Sequence, residues 1–418
     1  MKVKSVQFFY HFALFLVGYI QIAFPKFAAL SIVLFGLIVV IGRVKGFLIF
    51  ELNKITLFLF LFYLCYLFGV FFTDNEILAK HYVESKLSFL FFPLFFSFKP
   101  KFKVEFSYLF LISIFSVFQV TIFGLFSAMK IYSVTHIFLP SFTSTSISPL
   151  HHPSYFAFFI LFSIFTMWIG FFKKWKYFTL NWIIPLSIYF LVFYILCQSL
   201  AALLFICLTL FVIFIIWFKM KFGKIKTLIT ILFFPLILFF LLTKTPVFKV
   251  EFNSTKDSFT AFVNSPRKFI KDKQGYKTGN EDRLILWTAS SHLIWKHPFG
   301  VGTGNVDDYL RNELMNLRQG NLALKNFNSH NQFLQTGVEI GFFGLAILLI
   351  FEISVLVFAI KNKNWILLLV ISSLIFNSLF ESMLQRQSGI IFYSFWICII
   401  IAANDLIVKS KNNNVITE

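Results

Sequence analysis

A histidine at the start of a helix can act as a base beside an anion, and one such histidine lies ahead of a very apolar stretch. The run reads Phe327-Asn328-Ser329-His330-Asn331-Gln332-Phe333-Leu334-Gln335, and continues to Gly341. Ser329, three positions before Gln332, reads as a capping box, so a helix is expected to begin there with His330 in its first turn. From Gly341 the same helix is apolar enough to enter a bilayer. The positive end of a helix disfavours imidazolium and welcomes anions. Imidazole is also the natural base near neutral pH. His330 is therefore a candidate general base beside a phosphate; the plainer reading is a histidine bonding a neighbouring loop.

Arg283 is the second candidate. An arginine one turn into an amphipathic helix can hold phosphate oxygens in a two-pronged grip. The competing reading is an ion pair within its own loop, to Asp282, Glu313 or another carboxylate. Gly300, Gly302 and Gly304 could cradle a phosphate, but no strand precedes them, and a tight turn after Pro298 fits better. His151 and His152 stand at the head of the sixth apolar run. Adjacent histidines point in different directions on a helix and do not make a metal pair. The sequence has no HExxH, no Asp-x-Asp and no Gly-x-Ser-x-Gly, which disfavours a metal-dependent transferase or a serine hydrolase. Asp307-Asp308 reads as a solvated face.

The elements that must position these residues belong to a membrane protein. Of 418 residues, 58% are hydrophobic and 13% charged, against about 25% charged in soluble domains. Repeated continuous apolar runs near the roughly 20-residue bilayer requirement predict an all-α, polytopic fold with about 12 transmembrane helices. The expected spans lie near 6–24, 27–42, 55–73, 86–98, 106–128, 154–172, 181–198, 201–218, 227–243, 340–360, 365–380 and 389–407. The first reads as a retained signal-anchor span. Cys65, Cys197, Cys207 and Cys398 all fall inside expected spans, so no disulfide framework is expected.

A net charge of +19 would suggest nucleic acid in a soluble chain. Here the lysines cluster on alternate connections, as at Arg43 and Lys45, Lys99 to Lys103, and Lys173 to Lys176. Placing every such connection in the cytoplasm satisfies the positive-inside rule, with both termini inside. No nucleic-acid partner is expected. By the same alternation, one large loop is extracytoplasmic. The division is a transmembrane bundle of about nine spans over 1–243, a large loop carrying the site over 244–335, and C-terminal helices over 336–418. Within the loop, 245–279 reads as irregular. A helix then starts near Asn280 as cap, with Leu284, Trp287, Ser291 and Ile294 forming its apolar face, and Pro298 stops it. A further helix is expected over about 306–318.

The order of these segments resembles the O-antigen ligase and polymerase superfamily of bacterial envelope glycosyltransferases. The resemblance rests on Arg283-Leu284-Ile285-Leu286-Trp287, His297-Pro298-Phe299-Gly300-Val301-Gly302-Thr303-Gly304-Asn305, Ser329-His330-Asn331-Gln332-Phe333-Leu334 and Gly337-Val338-Glu339-Ile340-Gly341-Phe342-Phe343-Gly344. Weaker echoes lie at Lys86–Pro93, His152-Pro153-Ser154-Tyr155 and Glu381–Gly389. The resemblance implies a membrane-embedded glycosyltransferase at the outer face of the bacterial cytoplasmic (inner) membrane. Its donor would be a glycan on undecaprenyl pyrophosphate, and its acceptor a lipid A core sugar or another lipid-linked glycan. It implies metal-independent chemistry without a cofactor. His330 would assist deprotonation of the acceptor and Arg283 would hold the departing pyrophosphate, with Asn331, Gly302, Gly304, Asn305 and His152 in support.

One departure stands out. Relatives carry a second arginine after a serine where the eighth span begins, and this chain reads Cys197-Gln198-Ser199-Leu200. Arg386, His151 and His152 are the candidates to replace it. Ligation to lipid A core and repeat-unit polymerisation both remain open. A transporter or lipid-glycan flippase would need charged residues deep in the spans and repeat symmetry, and the spans are almost charge-free. A scaffold role in envelope assembly would leave Arg283 and His330 replaceable.

Overall fold

The computed structural model describes residues 3–223, 246–272 and 279–415. Helices α1 (Val3–Ala23) and α2 (Ala28–Val44) precede a three-residue strand, β1 (Leu48–Phe50). Helices α3 (Leu57–Gly69), α4 (Glu76–Ser85) and α5 (Ser88–Phe96) lead to β2 (Phe98–Pro100). Next come α6 (Phe106–Thr135), the one-turn α7 (Phe138–Ser141), α8 (Pro153–Phe172), α9 (Leu180–Leu196) and α10 (Leu200–Phe222). The large loop holds α11 (Pro246–Asn264), α12 (Pro266–Asp272), α13 (Gly279–Lys296), α14 (Val306–Asn316) and α15 (Gly320–Ala323). Helices α16 (Gln332–Lys361), α17 (Trp365–Ser378) and α18 (Gln387–Val415) follow.

Among the described residues, seven helices are long and apolar enough to cross a membrane: α1, α2, α6, α8, α10, α16 and α18. The apolar helices α3, α9 and α17 are shorter. The protein is a helical, multi-pass membrane protein. The expected span at 86–98 is short in the sequence, as a half-inserted or tilted segment would be. It folds as the nine-residue α5, about 14 Å long at ~1.5 Å per residue, roughly half a bilayer core. The expected span at 227–243 lies outside the described residues.

Two sets of connections gather at opposite ends of the bundle. At one end β1 pairs antiparallel with β2, Ile49 facing Lys99. The Glu105 N–H reaches His11 Nε2 at 3.2 Å, and Tyr108 meets Tyr177 at 3.2 Å. This brings the basic connections around residues 45, 101 and 175 together. At the other end His151 Nε2 lies 2.7 Å from the Ile22 carbonyl, and its Nδ1 lies 3.1 Å from Ser388 Oγ. The large loop joins there, with the Thr303 N–H on the Gly69 carbonyl at 3.1 Å.

Buried apolar residues form two cores. The larger fills the bundle, where Phe35, Phe92, Phe162 and Trp396 are fully or nearly fully buried. The smaller belongs to the loop and joins Phe269, Ile285, Leu293, Leu310, Leu322 and Val338. Residues 246–272, expected to be irregular, are helical, and Phe269 and Ile270 anchor them on this second core. Their lysines hid a few well-spaced apolar residues. The buried face of α13 also differs from the expected one. Ile285, Leu286, Ala289 and Leu293 turn inward together with the expected Ile294, while Leu284, Trp287 and Ser291 are only partly covered. Both sets have helical spacing, and only packing selects between them.

The expected continuous helix from 330 into the membrane is broken. Ile340 (φ −127°, ψ 18°) and Gly341 (φ 69°, ψ −170°) leave helical geometry inside α16. The carbonyls freed there accept the N–H groups of Val301 (2.8 Å, at Val338) and Gly302 (3.1 Å, at Glu339), and the Phe342 N–H donates to Pro298 O at 2.9 Å. The turn after Pro298 is thus a plug in the gap. Irregular backbone next to an apolar span survives where such partners satisfy it. The approach requires glycine on both sides. A Cβ on Gly341 would meet Pro298 O at 2.5 Å, and one on Gly300 would meet Glu339 O at 2.6 Å.

Candidate functional site

His330 does not lie in the first turn of a helix. It stands just before the cap with φ 44°, a left-handed conformation uncommon for a side-chain-bearing residue. Asn331 is the cap, accepting the Leu334 N–H at 3.0 Å. Its amide nitrogen also donates to Leu379 O at 3.1 Å. Ser329 does not cap through Gln332. Its N–H and hydroxyl both reach Gln335 Oε1 at 3.0 Å, and Ser290 Oγ donates to its hydroxyl at 2.9 Å. Asn328 Oδ1 accepts the His330 N–H at 3.0 Å and Ser382 Oγ at 3.2 Å. These bonds present His330 from a rigid turn, with Phe327 edge-on to the ring at 5.4 Å.

The ring faces a carboxylate that the sequence reading did not single out. His330 Nδ1 lies 3.0 Å from Glu381 Oε2. Arg283 Nη2 donates to the other oxygen, Glu381 Oε1, at 2.8 Å. Three separate elements therefore meet: the first turn of α13, the turn before α16, and the connector between α17 and α18. Arg283 thus makes an ion pair outside its own loop. The alternatives within the loop are taken otherwise, since Asp282 pairs with Lys325 at 3.5 Å and Glu313 with Lys296 at 2.7 Å.

The three side chains are graded in exposure: Glu381 11%, His330 25% and Arg283 32%. Burial pushes the Glu381 carboxyl up, but His330, Arg283 and His152 together outweigh it and hold it below the usual carboxylate range. An ionised carboxylate on Nδ1 favours the tautomer with its proton there. In the neutral ring Nε2 of His330 carries the lone pair, and it has no hydrogen-bond partner among the described residues. A positioned base beside a guanidinium can take a proton from a hydroxyl while a departing phosphate is held.

His152 and Arg386 border this trio. Burial, together with Arg386, His330 and Arg283 acting against Glu381, lowers the His152 pKa, which keeps the ring neutral. Its Nδ1 is buried without a partner. Arg386 is exposed and forms no ion pair among the described residues. His151 is a latch rather than a site group, with both ring nitrogens engaged and burial pushing it down to about 4. Gly302 and Gly304 pack against the backbone of Phe72 and Ala79. Asn305 staples the same turn: Oδ1 accepts from Thr73 and Asp74, and Nδ2 donates to Phe72 and Val301. These three hold the plug and do not face the trio.

Below the trio lies a sealed polar layer. Gln332, Gln335, Thr336 and Glu339 recur at helical spacing on one face of α16 and are at most 1% exposed. Gln332 Oε1 accepts the Leu384 N–H at 2.6 Å. Gln385 donates to Glu339 Oε2 at 2.9 Å and accepts from the fully buried Lys86 at 3.2 Å. Tyr155 donates to Ser382 O at 3.0 Å. The connector bearing Glu381 is thereby fixed from three sides. This stripe was visible in the sequence as four polar residues at helical spacing; Glu381 was signalled only as the first residue of a weak echo between two apolar runs.

Residues 185–349 match the family model for O-antigen ligase. The likeness covers this segment, about two fifths of the chain. No curated protein matches the chain well enough to add a relative. The matched O-antigen ligase segment contains Arg283 and His330, whereas Glu381 and Arg386 come from the α17–α18 connector beyond it.

Proposed function

We propose that the chain transfers a glycan from undecaprenyl pyrophosphate to a sugar hydroxyl at the outer face of the bacterial inner membrane. Ligation to lipid A core is the favoured reaction. The observation that carries this reading is Glu381 joining Arg283 and His330. In the proposed step, the acceptor oxygen attacks the anomeric carbon and its proton passes to His330 Nε2. The bond from that carbon to the pyrophosphate oxygen breaks, with inversion, and Arg283 holds the departing undecaprenyl pyrophosphate. Fixed positive charge supplies the stabilisation. No metal or cofactor enters the proposal.

Arg386 is proposed as the replacement for the family's second arginine. Ser199, beside the expected position, touches Ser154 at 3.2 Å, two residues after His152, and His152 feels the Arg386 charge. Arg386 thus reaches the same neighbourhood from another element. We further propose that both termini are cytoplasmic and that the loop over 244–335 is periplasmic, because the basic connections gather at the end away from the trio. The division into 1–243, 244–335 and 336–418 follows from that topology. Repeat-unit polymerisation uses the same chemistry with a lipid-linked acceptor.

With purified lipid-linked donor and acceptor, His330→Ala and Arg283→Ala are expected to abolish transfer, with protein still in the membrane. Full activity in either variant would sink the assignment. Deleting the gene and running envelope glycolipids on a gel separates the two reactions. Loss of all glycan on the core indicates a ligase, and a core with one repeat unit indicates a polymerase.

A further inference from the structure

The plug that fills the break in α16 carries large apolar side chains on its outside. Phe299 is 91% exposed, Trp295 78%, Phe343 71% and Phe342 43%. They form one surface, because the Trp295 and Phe342 rings lie 5.9 Å apart and the Phe342 N–H bonds Pro298 O. Trp295 and Phe299 belong to the large loop, while Phe342 and Phe343 begin the apolar half of α16. A tight turn needs no such exposed rings for its own stability, and the glycine contacts already fix it.

The length of α16 places this surface. Residues 342–361 of the helix run from the break to Lys361. Twenty residues at ~1.5 Å each span about 30 Å, the thickness of a bilayer's hydrocarbon core. Lys361 then marks one boundary and Phe342 the other. Amphipathic rings such as tryptophan gather at such boundaries, where an apolar body meets a polar edge. Phe299 and Trp295 stand beside Phe342 at that level, continuous with the lipid-facing surface of the helix.

The geometry points to the Trp295–Phe299 corner as a lipid anchor: the end of α13 and the plug are seated in the headgroup and acyl boundary of the bilayer. The occupant is lipid, not a second protein. The corner holds one end of α13 at the membrane surface while Arg283, at the other end of the same helix, meets Glu381. The inference does not depend on the reaction proposed above.

The test uses the full chain in vesicles of phosphatidylethanolamine and phosphatidylglycerol, with acyl chains brominated close to the headgroup or left unbrominated. Subtracting the emission of a Trp295→Phe variant isolates Trp295 from the other tryptophans. The expected result is blue-shifted Trp295 emission that loses most of its intensity in the brominated vesicles. A second probe, Phe299→Trp in the otherwise unchanged chain and read by subtracting the wild-type emission, is expected to behave alike and covers a failure of the first variant to fold. Emission unaffected by bromine overturns the inference. So does emission that shifts only as protein density in the vesicle rises, which would indicate a second copy on this face.

Discussion

Two clusters of opposite charge hang from the same short connector, and they differ mainly in access to solvent. Glu381, with His330 and Arg283, is open to between 11% and 32%. Four residues on, Gln385 bridges Lys86 and Glu339, which are at most 1% exposed. Each pairs a carboxylate with a cation across elements far apart in sequence. A sealed pair is held for geometry, because removing one partner strands a buried charge. An open trio keeps a ring nitrogen for a substrate beside the Arg283 guanidinium. The sealed cluster fixes the connector, and the open one uses the position so fixed.

The sharpest way to break this contrast is Glu381→Gln. An amide can donate to Nδ1 and turn the imidazole to the tautomer without a lone pair on Nε2. The rate of transfer is expected to fall by about 10²–10⁴, the usual contribution of a general base, with little change in KM. An unchanged rate would remove Glu381 from the site. The sealed cluster should respond the other way. Lys86→Met or Glu339→Leu alone is expected to cost about 3–5 kcal/mol of stability, and the double variant to recover much of it. Additive losses in denaturation of the two single variants would contradict the bridge.

A smaller effect is expected at the rim. Arg386→Gln removes an exposed cation and should weaken donor use about tenfold, near 1.4 kcal/mol, with folding unchanged. An unaltered KM and rate would return the missing arginine to an open question. The smallest effect concerns acid. Glu381 is held below its ordinary range in the folded state, so its stabilisation is complete above the unfolded carboxyl value of about 4.3. It is lost as the pH falls through the lower folded value. Wild type should lose stability relative to Glu381→Gln only at pH below about 4, as measured by unfolding across acid buffers.

Much of the site was legible because it rested on local signals. His330 lay within two residues of a helix start, and Arg283 in a first turn with two acids, Glu281 and Asp282, ahead of it. The glycines at 300, 302 and 304 spelled a turn. What the turn was for could not be read, because its partner carbonyls at Val338 and Glu339 lie nearly forty residues away. The capping box at Ser329 misled for a related reason. Serine and glutamine at that spacing satisfy a local rule, but tertiary partners at Ser290 and Leu384 claimed both side chains.

The sequence by itself determined the class of the molecule, since long charge-sparing apolar runs leave a chain in lipid no alternative to helices. It also marked one polar loop as the place for chemistry and named two of its residues. The tertiary structure alone decided that α16 breaks at Gly341, that only nine residues of 86–98 are helical, and that Glu381 joins His330 to Arg283. Each of those depends on a backbone or side-chain partner from a distant segment, and a one-dimensional pattern holds no distances between segments.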